Sequence, residues 1–237
     1  MKNNFKERGL IITATLIPVT VCFIYFRYVV PYHVCFKEQI QMFVLSSSFV
    51  LPYFSKPAAL ACLGGDFLTQ LLYFKWSGAV VVTLLLATEW LLIFLVLKRF
   101  FVKFSYAASL LIVAVEWIFF SSIFFYLSYS VSFIIFLVAF LIYAKTTGKK
   151  SVIAGIFLIP TLYAIAGATV FLFLLLVLLY DIHLRRKRIV YWVVISGLAF
   201  AIPFFTRHTY LLTHKQAFFY PYPDIKQLSL LVFALIV

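Results

Sequence analysis

Several apolar segments of this chain are long enough to cross a lipid bilayer, and this constrains its fold more than any other feature. A membrane-spanning helix needs about 20 mostly apolar residues. Continuous runs of this kind occur near residues 9–31, 77–97, 105–126, 129–144 and 189–206. They lack the alternation over about ten residues that is typical of a membrane β-barrel. The sequence therefore predicts an all-α, polytopic transmembrane helical bundle.

The composition and the placement of charge support this fold class. Of 237 residues, 65% are hydrophobic and 11% are charged, whereas soluble domains carry about 25% charged residues. The net charge of +13 does not indicate nucleic-acid binding, because the basic residues cluster between apolar runs as they do in cytoplasmic loops. We therefore expect a cytoplasmic N-terminus that serves as an uncleaved anchor. The four basic clusters are Lys2, Lys6 and Arg8; Lys98, Arg99 and Lys103; Lys145, Lys149 and Lys150; and Arg185–Arg188.

Residues 151–182 allow two topologies. As one long helix, the segment would carry the basic cluster at Arg185 to the trans side, away from the cytoplasm. A break near Tyr163–Gly167 instead makes a hairpin of two short helices, and Pro160 with the small residues nearby favours that break. The hairpin gives about seven crossings. We expect a truncated last helix over 227–237, whose ten-residue apolar run from Leu228 is too short at about 15 Å to cross, and hence a longer protein.

The segment at 32–76 is predicted to form amphipathic helices on the trans surface. Over 36–54, apolar residues recur at helical spacing, and polar residues share another face that includes Lys37, Glu38 and Gln41. A second helix follows with an apolar stripe and an opposite polar stripe. The apolar stripe is Leu60, Leu63, Phe67, Leu71 and Phe74, and the polar stripe is Asp66, Thr69, Gln70 and Tyr73.

These surface helices allow two interpretations. Glu38 and Asp66 together can make an acid–base or metal-linked catalytic site, with polar neighbours that bind the substrate. Alternatively, the polar faces of both helices simply meet water. The candidate substrate-binding neighbours are Gln39, Gln41, Thr69 and Gln70.

A second pair of carboxylates lies inside predicted crossings. Glu89 and Glu116 are placed symmetrically about the turn near residues 102–103, so in an antiparallel hairpin they lie at similar depth, about 20 Å from that turn. Ionised carboxylates at this depth are costly, so at least one is expected to be protonated or paired. The pair is either a proton- or ion-linked site, as in a transporter, or a buried hydrogen bond between two helices.

The second trans loop, residues 207–226, combines cations with aromatic residues. Its basic side chains oppose the charge bias of the other loops, and a lipid-linked phosphate would suit them. The alternative is an aromatic belt at the membrane interface with cations that extend to the headgroups. The residues concerned are Arg207, His208, His214 and Lys215.

The three cysteines do not indicate a metal site, because no cysteine or histidine spacing typical of one occurs. Cys22 falls inside the first crossing. Cys35 and Cys62 share the trans side, where they form either a disulfide or, as we expect, two unpaired thiols.

Three short motifs occur together in the first third of the chain: Phe36–Phe43, Lys56–Pro57 and Gly65–Gln70. They resemble a pattern of an uncharacterised multi-pass membrane protein family of Bacteroidota. Ala58 and Ala59 replace two small glycines of that pattern, and Asp66 stands at its acidic position. The resemblance implies a bacterial inner (cytoplasmic) membrane protein and carries no established reaction.

The architecture is also similar to that of GT-C-type membrane glycosyltransferases, which take sugars from polyprenyl-phosphate carriers. This similarity implies that Glu38 or Asp66 holds the acidic catalytic or metal-linked position. It implies that Arg207, His208 and Lys215 contact the phosphate of the carrier. The chain lacks the Asp-Asp or Asp-Glu pair that many such enzymes carry in the first trans loop.

Two functions follow from these residues. One is a GT-C-like transferase that uses a lipid-linked donor on the trans side. The other is a transporter-like or scaffold membrane component without catalysis, in which Glu89 and Glu116 are the important pair. The two differ in which carboxylates meet in one cavity, and both require the lipid bilayer as a partner.

Overall fold

The computed structural model describes residues 15–40, 43–122, 124–186 and 188–222, and 83% of these residues are helical with no β-strand among them. The all-α prediction is confirmed. The expected last helix at 227–237 and the N-terminal basic cluster lie outside the described residues. The helices are α1 Thr15–Val29, α2 Pro31–Ile40, α3 Ser47–Val50, α4 Ala59–Gln70, α5 Lys75–Arg99, α6 Ser105–Phe120, α7 Leu127–Lys145, α8 Lys149–Ala166, α9 Thr169–His183, α10 Ile189–Thr209 and α11 His214–Phe219.

Four of these helices are long and apolar enough to cross a membrane: α5, α7, α8 and α10. Helices α1 and α2 form a fifth candidate span, bent by 72° at the break between them. Helices α6 and α9 contain 16 and 15 residues, which is about 24 and 22 Å of helix. Because a hydrocarbon core is about 30 Å thick, the described residues supply four to five full-length spans, and the seven-crossing topology stays a prediction.

The basic segments between α5 and α10 meet at one end of the bundle, which we call the basic end. Phe100, after α5, packs on Phe140 of α7 and His183 of α9 with ring centroids 6.0 and 5.8 Å apart. Arg188 donates to the carbonyl of Gly148 at 3.1 Å and so joins the starts of α8 and α10. At the opposite end the chain breaks between α8 and α9 at Gly167, whose φ of +70° suits glycine.

Asp181 is a fully buried carboxylate at the basic end. It accepts hydrogen bonds from Tyr143 at 3.3 Å and Trp192 at 3.4 Å, and it forms an ion pair with Arg186 at 3.4 Å. A buried charge is tolerated when it is paired and hydrogen-bonded in this way. Asp181 therefore links α7, α9 and α10, a role that was not predicted from the sequence.

The segment predicted as one amphipathic helix over 36–54 is not continuous, and that prediction is wrong. Helix α2 ends at Ile40, residues 43–46 are not helical, and the short α3 is followed by a 3-10 turn over Leu51–Ser55. Ser46 caps α3 by accepting a hydrogen bond from the amide of Phe49. Local capping and Pro52 thus divide the segment into short pieces.

Lys37 does not lie on a water-facing side of α2, because only 3% of its surface is exposed. Its ammonium group donates to the carbonyl of Phe120 at 2.9 Å, and His33 contacts the carbonyl of Ser121 at 2.8 Å. The last carbonyls of a helix lack intrahelical partners and carry a partial negative charge. Lys37 and His33 therefore cap the C-terminus of α6 and dock α2 on it.

Replacing Lys37 by alanine is expected to lower the free energy of unfolding by about 2 kcal/mol, because the buried carbonyl of Phe120 loses its donor. The measurement is the midpoint of thermal unfolding of the purified protein in detergent. Gln39→Ala is the matched control on the same helix, since Gln39 is exposed. Equal midpoints for the two variants would contradict the capping role.

Helix α4 turns two residues of its apolar stripe outward and buries Thr69 of its polar stripe, whereas Gln70 and Tyr73 of the polar stripe are exposed. Leu60 and Phe67 are 43% and 46% exposed, whereas Thr69 is fully buried. Gly65 lies against the backbone of Ser128 at the start of α7, so closely that a β-carbon at residue 65 would collide with it. Asp66 and Thr69 therefore lie on the side of α4 that packs on the bundle.

Candidate functional site

A cavity of about 430 Å³ opens at the end of the bundle opposite the basic end. Three separate stretches of chain form its wall: residues 52–66, the start of α7, and the segment that follows α11. The residues that line it are Pro52, Tyr53, Lys56, Pro57, Cys62, Asp66, Tyr126, Ser128, Tyr129, Tyr220, Pro221 and Tyr222.

The break between α8 and α9 holds two of these stretches in place. The amide of Ala58 donates to the carbonyl of Tyr163 at 3.2 Å, and the amide of Ala168 donates to the carbonyl of Tyr220 at 2.8 Å. Gly167 lies between them, and a β-carbon there would collide with the Tyr220 carbonyl and approach the Ala58 side chain. The broken helix pair therefore brings the start of α4 and the segment after α11 together at one site.

Asp66 supplies the carboxyl group of the cavity. The phenol of Tyr53 donates a hydrogen bond to its Oδ2 atom at 2.6 Å. Asp66 lies on α4, which is too short to be a membrane span. Burial of the carboxyl group raises the pKa of Asp66, and the hydrogen bond from Tyr53 opposes this change. Asp66 is therefore a stronger base than an exposed aspartate, and Tyr53 fixes its orientation.

Five tyrosines give the cavity its shape. Tyr129 stacks on Tyr222 with ring centroids 5.2 Å apart, and Tyr126 packs on Tyr129 edge to face at 5.6 Å. Tyr53 and Tyr220 complete the set. Such rings present flat apolar faces and phenol hydroxyls together, so the wall suits a ligand with both C–H surfaces and hydroxyl groups.

Two further side chains add reactive groups to the cavity. Lys56 is exposed and supplies a positive charge among the described lining residues. The thiol of Cys62 lies 3.8 Å from the hydroxyl of Tyr220, and burial raises its pKa to about 11. Cys62, Cys35 and Cys22 all carry free thiols, which agrees with the prediction that Cys35 and Cys62 are unpaired.

Asp66 makes the stability of the protein depend on pH. Its pKa is raised in the folded state above about 3.9, the value for an unfolded chain. Its contribution to stability is therefore complete below that value and is lost as pH rises through the folded pKa. We expect Asp66→Asn to flatten this part of a plot of unfolding midpoint against pH. A wild-type plot that rises over the same range would contradict the assignment.

The residues predicted to accompany Asp66 lie elsewhere. Glu38 is half-buried and Gln39 exposed on α2, and neither lines the cavity. Thr69 donates to the carbonyl of Gly65 within α4 at 2.8 Å, and Gln70 donates to the carbonyl of Phe43. Gln41 lies outside the described residues. A site that pairs Glu38 with Asp66 stays a prediction, and the cavity brings together Asp66 and Tyr53 instead.

The basic residues of the second predicted trans loop form a cluster of their own. The guanidinium of Arg207 contacts His208 at 3.1 Å and His214 at 2.7 Å, and it lies 4.8 Å from the ring centre of Phe204. Lys215 is exposed beside them on α11. None of these described residues is part of the cavity wall.

Glu89 and Glu116 do come together, between α5 and α6. Glu89 is fully buried. Its carboxyl group interacts with Glu116 of α6 and with Ser130 of α7. Ser130 donates to Oε1 of Glu116 at 2.5 Å. The symmetric spacing of the two glutamates along the sequence predicts this pair, but it does not indicate Ser130.

The five tyrosines of the cavity were not among the residues predicted from the sequence. A usable signal was present, because tyrosine occurs beside proline or serine in each of the three lining stretches. Their convergence depends on contacts between distant parts of the chain, which spacing along the sequence does not reveal.

These features define an α-helical integral membrane protein with a cavity at one end of its bundle. The chain matches the family of unknown function DUF6057 over residues 7–237, and it belongs to that family. No curated protein and no solved structure matches it. Within the described ranges, no group of three or more His, Cys, Asp or Glu side chains is arranged to hold a metal ion.

Proposed function

We propose that this protein is a membrane glycosyltransferase-like enzyme that takes a sugar from a lipid-linked phosphate donor in the Asp66 cavity, on the trans side of a bacterial inner membrane. The observation that carries the proposal is the Tyr53–Asp66 hydrogen bond of 2.6 Å inside a wall of five tyrosines. A base that is held by a neighbouring hydroxyl beside aromatic rings is a suitable arrangement for activating a sugar hydroxyl.

The cavity chemistry supports a sugar as the transferred group. Tyrosine rings stack on the C–H faces of sugars, and their hydroxyls bond to sugar hydroxyls. A volume of about 430 Å³ is within the range of small-molecule sites. The neighbouring outward-facing apolar residues of α4, Leu60 and Phe67, would keep the lipid part of a donor in the membrane beside the cavity.

In the proposed reaction, Asp66 acts as the general base. Its carboxylate takes the proton of an acceptor hydroxyl while the acceptor oxygen forms a bond to the anomeric carbon of the sugar. The bond from that carbon to the donor phosphate oxygen breaks, and the lipid phosphate leaves with the electron pair. Tyr53 holds Asp66 in position, and Lys56 offsets the charge of the leaving phosphate.

Lys56 and the Arg207 cluster are alternative contacts for the phosphate. Lys56 lines the cavity, whereas Arg207, His208, His214 and Lys215 lie outside its wall. Phosphate contact near a departing group must be made within a few ångströms of the reacting atoms. We therefore assign the reacting phosphate to Lys56 and leave the Arg207 cluster to the headgroups of surrounding lipid.

The test is donor binding to protein in lipid nanodiscs, measured by native mass spectrometry with a polyprenyl-phosphate-linked hexose. Lys56→Ala is expected to weaken binding by about tenfold, the loss of one charge-assisted contact. Lys215→Ala is the matched control, because both lysines are exposed. Equal binding of the donor and of the phosphate-free polyprenol, or a larger loss in Lys215→Ala, would overturn the proposal.

A second candidate function is a proton- or ion-linked transporter or scaffold component without catalysis. The specific observation that favours it is the burial of Glu89 beside Glu116 in the helical bundle. Intramembrane carboxylates of this kind mark proton and ion pathways in many transporters. Uptake of a substrate by proteoliposomes that depends on a proton gradient would favour this function over transfer.

A further inference from the structure

A second cavity, of about 470 Å³, lies at the basic end between the first turns of α8 and α10, and we call it the basic cavity. Its wall combines the cations Lys149 and Arg188 with apolar side chains that include Ile189 and Val190. The volume is within the range of small-molecule sites. The basic cavity shares no lining residue with the Asp66 cavity at the other end of the bundle. Its mixed wall suits an amphipathic ligand.

The guanidinium group of Arg188 is held in place in the basic cavity. Its Nη1 donates to the hydroxyl of Ser151 at 2.7 Å, and its Nη2 donates to the carbonyl of Gly148 at 3.1 Å. Ser151 is fully buried and donates to the same carbonyl at 2.9 Å. Gly148 has a φ of +62°, in the region that favours glycine. These bonds engage two of the five N–H groups of the guanidinium, and the described residues supply no acceptor for the other three. Arg188 is therefore fixed in position with donors left for a ligand.

The basic end carries a surplus of positive charge. Among the described residues of this end, the one carboxyl group is that of Asp181, which is buried and paired with Arg186. The first turns of α8 and α10 contain no acidic residue, so the partial positive charges of these helix ends add to the surplus. A ligand of the basic cavity is therefore expected to be an anion. The described cations of this end are Lys98, Arg99, Lys103, Lys145, Lys149, Lys150, Arg185, Arg186 and Arg188.

Exposed apolar residues extend from the basic cavity along α10. Ile189 and Val190 line the cavity and are 69% and 80% exposed, and Val193, one turn further, is 67% exposed. Because α10 is long and apolar enough to cross a membrane, this face meets the hydrocarbon chains of lipids. A soluble phosphate would leave the face unused. A phospholipid places its phosphate against Arg188 and its acyl chains along the face, so the wall favours a lipid as the ligand.

We propose that the basic cavity binds one phospholipid with an anionic headgroup. Arg188 and Lys149 bind its phosphate through charge-assisted hydrogen bonds, and its acyl chains lie along the exposed apolar face of α10. Basic pockets between transmembrane helices bind lipid headgroups in this way. The bound lipid joins the first turns of α8 and α10. The site goes beyond sugar transfer, since it requires no sugar donor and uses no residue of the Asp66 cavity.

Native mass spectrometry of the purified protein in detergent, titrated with phosphatidylglycerol, tests this site. We expect the first phosphatidylglycerol to bind more tightly than phosphatidylcholine with the same acyl chains. Lys149→Ala is expected to weaken its binding by about tenfold, the loss of one charge-assisted contact. Lys103→Ala should leave binding unchanged. It is the matched control, because Lys103 is also an exposed lysine of the basic end but does not line the cavity.

Arg188→Ala is expected to weaken binding by at least as much as Lys149→Ala. The exposed side chain of Lys149 keeps the test decisive even where loss of the Arg188 contacts between α8 and α10 prevents folding. Lys56→Ala, which changes the Asp66 cavity, should not affect phosphatidylglycerol binding.

Three outcomes would overturn the proposal. One is equal binding of phosphatidylglycerol and phosphatidylcholine to the wild-type protein. Another is an equal loss in Lys149→Ala and Lys103→Ala, which would show attraction to the whole basic end rather than to one site. The third is displacement of the lipid by soluble glycerol phosphate at the same concentration, which would assign the cavity to a soluble phosphate. Each leaves the donor-binding test of Lys56 unaffected, so the two proposals fail separately.

Discussion

Replacing Asp66 by asparagine is expected to lower the rate of sugar transfer by about 100-fold or more, the usual contribution of a general base. Asparagine keeps the size of the side chain and can still contact Tyr53, but it cannot accept a proton at neutral pH. Donor binding should therefore change little while kcat falls. The measurement is single-turnover release of polyprenyl phosphate from a radiolabelled donor.

Glu38→Gln is the matched control for this prediction. It makes the same chemical change at a carboxylate that does not line the cavity. We expect its transfer rate to stay close to that of the wild type. A 100-fold loss in Glu38→Gln with normal turnover in Asp66→Asn would move the catalytic base to α2.

Gly65→Ala is expected to lower the free energy of unfolding by about 3 kcal/mol, the upper part of the range for overpacked cores. The added methyl group would collide with the backbone of Ser128, and backbone cannot rotate away as a side chain can. Helix α4 would then shift from α7, and Asp66 would leave its place in the cavity. For a chain of this size we expect the thermal midpoint to fall by about 10 °C.

The neighbouring glycine provides the control. A β-carbon at Gly64 would meet only the Cγ1 atom of Val131, at 3.4 Å, which is an ordinary contact. Alanine also favours a helix over glycine by about 1 kcal/mol. Gly64→Ala should therefore leave the midpoint unchanged or slightly raised, and a loss as large as that of Gly65→Ala would contradict the close approach of α4 and α7.

The fold class could be predicted from the sequence because long apolar segments have few structural solutions in a membrane. The amphipathic segments were harder. Lys37 was predicted to face water because it is charged, yet it is buried as a cap on α6. In lipid surroundings a charged side chain is stabilised more by an unpaired backbone carbonyl inside the bundle than by contact with the membrane. Helical periodicity alone does not show which of these two environments the side chain will face.

The candidate site could be predicted only in part. Asp66 was singled out from its place on a polar stripe, and Glu89 and Glu116 were paired from their spacing about a turn. Tyr53 is close to Asp66 along the chain, but Tyr129 and Tyr222 are separated by 93 residues in the contact that joins them. That contact depends on the break at Gly167. A sequence pattern can indicate that a helix breaks there, but it does not show which other segments will pack against the break.

The most direct test of the Asp66 cavity as the sugar-binding site is photocrosslinking with a polyprenyl-phosphate-linked hexose that carries a diazirine on the sugar. Nanodisc-embedded protein would be irradiated with this probe, digested and mapped by mass spectrometry. We expect labelling of the peptides that contain Tyr53, Tyr126 and Tyr220, with competition by unlabelled donor. Competed labelling at Glu38 on α2 or at Arg207–Lys215, with none on the cavity peptides, would contradict it.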